Sequence, residues 1–191
     1  MLLDKIKQEI RSHQSNHWAR KIGYEPIYTA SHTAKILIVG QAPGKKAQES
    51  GVPWNDVSGN TLRQWLGISM GVFYDDSKIA LLPMDFYYPG KSTHGDLPPR
   101  KDFAPVWHPK LIAEMPEIEL TILIGQYAQN YYLGKTIKSN LTETIRAYKE
   151  YLPIYLPLVH PSPLNFRWRA KNPWFEKEVI PDVKQIVSKI L

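Results

Sequence analysis

His160, in the run His160-Pro161-Ser162-Pro163, is the residue of this sequence best equipped for chemistry. An imidazole titrates close to neutral pH, so it can act as acid or base or donate a hydrogen bond to an anionic leaving group. Ser162, held between two prolines in a rigid turn, presents a hydroxyl and a backbone amide able to pinch a phosphate. Leu164-Asn165-Phe166-Arg167-Trp168-Arg169-Ala170-Lys171 then interleaves three cations with two aromatics and a leucine. That composition suits a nucleic-acid groove, and equally a solvated loop with incidental cations. Toward the other end, Gly40-Gln41-Ala42-Pro43-Gly44-Lys45-Lys46 looks superficially like a phosphate-binding loop. Its glycines are separated by three residues where that motif needs four, no Ser or Thr follows the lysine, and G-x-G-x-x-G is absent. Two glycines and a proline still let backbone N–H groups approach a ligand, although an ordinary strand-to-helix turn has the same make-up.

Other residues are weaker candidates. His13 and His17, four apart on a predicted helix, have the spacing of a metal pair but no third ligand, and read as surface histidines. His94 and Asp96, in the Gly- and Pro-bounded loop 90–100, either cap a pocket or are solvated. Arg100-Lys101 and Lys45-Lys46 are potential phosphate contacts, His108 reads as structural, and Tyr87 and Tyr88 read as packing.

Bringing these loops together requires a framework. Four short apolar runs supply one: Lys35–Gly40, Lys78–Pro83, Leu120–Gly125 and Tyr151–Val159. Their apolar character is continuous rather than alternating, as in strands buried on both faces of a parallel sheet. Helix-like stretches lie between and around them: Leu2–His13, Thr61–Leu66, Phe103–Glu114, Gln126–Leu133, Thr142–Tyr151 and Pro173–Leu191. The expected fold is α/β, a three-layer α/β/α sandwich with a central, mainly parallel four-stranded sheet. Ligands bind such sheets at the carboxyl ends of the strands, which selects residues 40–44, 83–90, 125–126 and 160–163.

The 191 residues fit one domain, 1–191, and 43% of them are hydrophobic, too many for a disordered chain. No run approaches the ~20 apolar residues of a membrane span, and the charges in Met1-Leu2-Leu3-Asp4-Lys5-Ile6-Lys7 interrupt any signal core, so a cytoplasmic location is expected. Zero cysteines exclude disulfides, thiolate nucleophiles and cysteine-ligated clusters. Lys and Arg number 24 against 18 acidic residues, a net charge of +6 that suits a polyanionic partner. Aromatic residues at 12% add surfaces on which bases stack.

The GQAPG loop after the first strand and the HPSPL loop after the last resemble those of the uracil-DNA glycosylase superfamily. A third segment agrees: Gly51-Val52-Pro53-Trp54-Asn55-Asp56-Val57-Ser58-Gly59-Asn60-Thr61-Leu62 is similar to the "G-x-P-aromatic … small-Gly-x-x-Leu" segment of its iron–sulfur branch. The three motifs frame the chain from Ile36 to Trp174. Departures accompany the matches. The cluster cysteines are missing, and the first loop carries Gln41 and Ala42 where other branches place a glutamate or an aspartate. The asparagine that usually reads uracil after the second strand is replaced by the stretch Pro83-Met84-Asp85. The resemblance places the chain in a less-studied branch.

That resemblance implies hydrolysis of the N-glycosidic bond of uracil, or a related deaminated base, flipped out of DNA during base-excision repair. By position, Trp54 stacks on the extruded base, and His160 bonds its departing O2. The backbone amides of Gln41 and Ala42 complete the anion site, and Asp85 stands in for the missing asparagine. Gln41 is the first choice for orienting water, ahead of Asp56 and Asp85. Ser162 compresses the DNA backbone while Leu164, Arg167 or Trp168 fills the vacated stack. The partner is therefore DNA, with no metal, cofactor or membrane required, and the chain is expected to work as a monomer. Gln41 and Ala42 also suit a non-catalytic binder of damaged or single-stranded DNA, and the missing asparagine suits a glycosidase for another base or for free nucleosides.

Overall fold

The structure is a computed structural model that describes residues 2–93 and 95–191; His94 lies outside the described residues. Helices α1 (Leu2–Ser12) and α2 (His17–Lys21) precede strand β1 (Ile36–Val39). Then follow α3 (Lys45–Ser50), α4 (Val57–Leu66), α5 (Met70–Phe73) and β2 (Ile79–Leu81). A hairpin of β3 (Lys91–Ser92) and β4 (Gly95–Asp96) leads to α6 (Phe103–Ile112), β5 (Leu120–Ile124) and α7 (Gly125–Leu133). Last come α8 (Leu141–Arg146), α9 (Tyr148–Tyr151), β6 (Tyr155–Leu158), α10 (Phe166–Lys171) and α11 (Ile180–Ile190), the last preceded by a π-helical turn, Phe175–Val179.

The expected sheet is present. Its four strands run β2-β1-β5-β6, all parallel, with Ile38 opposite Ile122 and Ile122 opposite Leu156. The continuous apolar runs are explained by the layers on each side. Ile36 and Ile38 turn to one core with Leu62 of α4 and Val183 of α11, while Leu37 and Val39 turn to the other with Ile10 of α1 and Leu111 of α6. Each side of a strand then removes apolar area from water at about 25 cal/mol per Å². Pro157 lies within β6, which is tolerable because β6 is an edge strand and one of its flanks needs no ladder donor.

The expected element bounds are adjusted by local chemistry. Strand β6 starts at Tyr155 rather than Tyr151, because the stretch before it is taken by α9. Helix α4 starts at Val57, earlier than Thr61, because Asp56 caps it by accepting from the Gly59 N–H at 2.8 Å. The expected helix 142–151 breaks at Ala147 into α8 and α9. The chain passes from β1 to β2 on one flank and then to β5 on the other, so the order reverses beside β1, where the crevice of a doubly wound sheet lies.

Candidate active site at the strand ends

Beyond β1, the backbone from Gly40 is zipped to the segment after β2. Met84 N–H donates to the Gly40 carbonyl at 2.8 Å and Asp85 N–H to that of Gln41 at 3.2 Å. On the opposite flank β6 delivers His160 beside Gly125, whose φ of 81° begins α7; a Cβ there would stand 3.7 Å from the His160 Cβ. Between these ends lies a cavity of about 270 Å3 whose walls include Ala42, Pro43, Trp54, Pro83, Asp96, His160 and Ser162. That is just below the ~300 Å3 at which drug-sized ligand pockets begin, a scale fit for one small ring system.

Trp54 is built into the cavity wall at a conformational cost. Its φ of 57° is the one positive value at a non-glycine among the described residues. Its ring stacks on that of His160, with centroids 5.7 Å apart and planes 28° from parallel. It also lies on Gly40, where an added Cβ would approach Cζ2 at 2.8 Å, and its carbonyl presses on Gly59, where a Cβ would meet the oxygen at 1.8 Å. Those two glycines therefore exist for close approach. The carbonyl is met by the Arg63 Nη1 at 3.5 Å, and Tyr74 Oη donates to the neighbouring Pro53 carbonyl at 3.0 Å. Arg63 is buried, donates to Asn60 Oδ1 at 2.6 Å, and stacks against Phe73 and Tyr74. Sequence reasoning missed Arg63 because nothing in its local pattern signals a bond to a residue nine positions back.

His160 is half-buried. The Ser162 N–H donates to its Nδ1 at 3.2 Å, so a neutral ring carries its proton on Nε2. Burial pushes its pKa below the ordinary histidine value, against the pull of Asp56 and Asp96. Its backbone carbonyl accepts from Asn165 Nδ2 at 2.8 Å, and the Ser162 hydroxyl accepts from the Leu164 N–H at 3.2 Å, stiffening the whole HPSPL turn.

A second space of about 310 Å3 opens outward from the first and shares Ala42, Asp96, His160 and Ser162 with it; Gln41, Leu164 and Asn165 also line it. Gln41 thus stands at the outer space, with its Nε2 donating to the Leu97 carbonyl at 3.2 Å. Leu164 is 81% exposed at the rim, and Phe166 and Arg167 are exposed beside it. Phe166 was not among the expected contacts.

Two expected site residues lie elsewhere. Asp85 is buried away from the cavity: Arg100 Nε reaches its Oδ2 at 2.6 Å and Nη2 its Oδ1 at 2.8 Å, while the Tyr87 N–H donates to Oδ1 at 3.1 Å. Both oxygens are engaged, so Asp85 is structural and Arg100 is not a free phosphate contact. Trp168 packs into the core against Trp174 and Phe175, and its Nε1 donates to Thr142 Oγ1 at 3.0 Å, which removes it from the exposed rim. Pro83, at the position of the missing asparagine, does line the cavity. Its carbonyl accepts from Nε2 of the buried His108, whose Nδ1 bonds Tyr132 Oη at 2.7 Å. No group of three His, Asp or Glu poised to hold a metal occurs among the described residues.

One comparison with known proteins bears on this arrangement. A family model described as the uracil DNA glycosylase superfamily matches residues 26–184, which include every element from β1 to β6 and the whole cavity.

Proposed function

The chain belongs to the uracil DNA glycosylase superfamily, and from that premise we propose that it is a DNA glycosylase acting on uracil or a related deaminated base extruded from DNA. The observation that carries the reading is the cavity at the strand ends that joins the strained Trp54 ring to His160. An extruded base enters against Trp54. As the C1′–N bond breaks, the departing base becomes an anion. A neutral His160, whose Nδ1 accepts from the Ser162 amide and whose proton is therefore on Nε2, donates that N–H to the anion. Leu164 is the side chain at the rim best placed to fill the gap left in the stack, with Arg167 on the phosphates.

The described cavity walls carry no Asn or Gln side chain, so the base edge is read by backbone groups and by Ser58 or Asp56. This leaves more than one deaminated base as substrate. The test uses labelled oligonucleotides holding a single uracil, hypoxanthine or xanthine, single-stranded and paired, with alkaline scission at abasic sites. Scission on at least one of them, slowed about 10²–10³-fold in His160→Ala, is the expected result. Binding without scission on any of them would replace the enzyme by a damage-binding protein. Activity on free nucleosides alone would remove DNA as the substrate.

A further inference from the structure

On the glycosylase reading, with the extruded base in the inner cavity and its sugar in the adjoining space, the glycosidic bond passes between the two. The residues that line both spaces therefore stand nearest C1′, and they are Ala42, Asp96, His160 and Ser162. Of these, Asp96 alone carries a carboxylate. The other carboxylates considered for the water are taken. Asp56 caps α4 through Oδ1 and lines only the inner cavity, and Asp85 is clasped by Arg100. Asp96 is exposed to solvent from β4, and its described side-chain hydrogen bond is a long one, 3.4 Å, from Tyr88 Oη. Its segment is pinned over the site by Gln41, whose amide holds the carbonyl of the next residue, Leu97.

We propose that Asp96 is the catalytic residue that positions and deprotonates the attacking water, and that Gln41 is a positioning residue that docks the β3–β4 hairpin carrying it. The assignment rests on the glycosylase reading. In the step, the C1′–N electron pair leaves with the base as the water oxygen bonds C1′. One water proton passes to the Asp96 carboxylate, which later releases it to the departing base or to solvent. One water is consumed, and a neutral base and an abasic sugar result. A general base of this kind contributes ~10²–10⁴-fold.

The experiment is single-turnover excision from an oligonucleotide with one uracil, hypoxanthine or xanthine, alongside the Kd for the same strand. Asp96→Asn should slow excision at least ~100-fold with Kd within about twofold. Asp96→Ala should recover at least ~tenfold in added formate, a small carboxylate that replaces the lost base, whereas Tyr88→Phe should stay within about threefold of wild type. If wild type excises and Asp96→Asn stays within about threefold, the assignment is overturned while the glycosylase reading stands. Loss of DNA binding in Asp96→Asn, or no formate rescue, also overturns it, because Asp96 would then serve only the hairpin's structure. If wild type excises none of these bases while His160→Ala behaves identically, the glycosylase reading itself falls and the assignment with it.

Discussion

A tryptophan held at φ 57° is stable only where its surroundings over-determine it, and here they do so from both sides of the residue. Gly59→Ala would drive a methyl into the Trp54 carbonyl, and we expect it to lower unfolding free energy by about 3 kcal/mol in urea titrations. Gly40→Ala meets only the ring edge. It should cost about 1 kcal/mol in stability yet still tilt the ring and weaken base binding, which a Kd series on damaged and undamaged strands would separate. His108 gives a pH prediction. Burial lowers its pKa from 6.5 to about 4, so the unfolded chain takes up a proton before the folded one. Its neutral state contributes full stability above pH 6.5, and this is lost progressively as pH falls to about 4, by about 3 kcal/mol at most. Comparing the pH 7 and pH 4.5 urea midpoints of wild type and His108→Gln should show a smaller acid loss in the variant. At this scale the sequence singled out His160, Trp54 and Leu164, which the fold brings to the two strand-end spaces, because motif and composition are local properties. It could not announce Arg63, nor that Asp85 and Trp168 are engaged elsewhere, because those facts are bonds between distant segments.

Among the elements, the sheet was legible because strands buried on both faces must be apolar at every position, a pattern that survives in Ile36–Val39 and Leu120–Ile124. The β3–β4 hairpin was not, since two-residue strands leave no periodicity to read. Its position is set instead by two anchors, the Gln41–Leu97 hydrogen bond and the Asp85–Arg100 pair that follows. Asp85 is 2% exposed in its side chain while Arg100 is 30% exposed, so removing the carboxylate strands a partly solvated guanidinium. Asp85→Ala should therefore destabilise by about 3 kcal/mol, at the lower end for a broken buried pair, read as a fall in the urea midpoint. Restoring the pair by Asp85→Glu should be incomplete, as the fork geometry depends on side-chain length.

On the scale of the whole molecule, a net charge of +6 sits on a protein whose rim presents Arg167, Leu164 and Phe166 next to the cavity. DNA affinity should fall steeply with salt, and Arg167→Ala should make the log–log slope shallower by about one phosphate contact. Leu164→Ala should slow excision from duplex about tenfold and leave single strands nearly unaffected, because only the duplex has a stack to refill. One feature of the molecule crosses a boundary that the family match leaves open. Arg100 holds Asp85 with one side of its guanidinium, while Nη1 reaches back to the Ser15 carbonyl at 3.0 Å and Asn16 Oδ1 at 2.7 Å. Those partners precede residue 26, where the match to the superfamily begins. The N-terminal arm is thus a strut that braces, through Arg100, the segment leading from the β3–β4 hairpin to α6, so a change in the arm would reach the strand-end cavity without touching any residue that lines it.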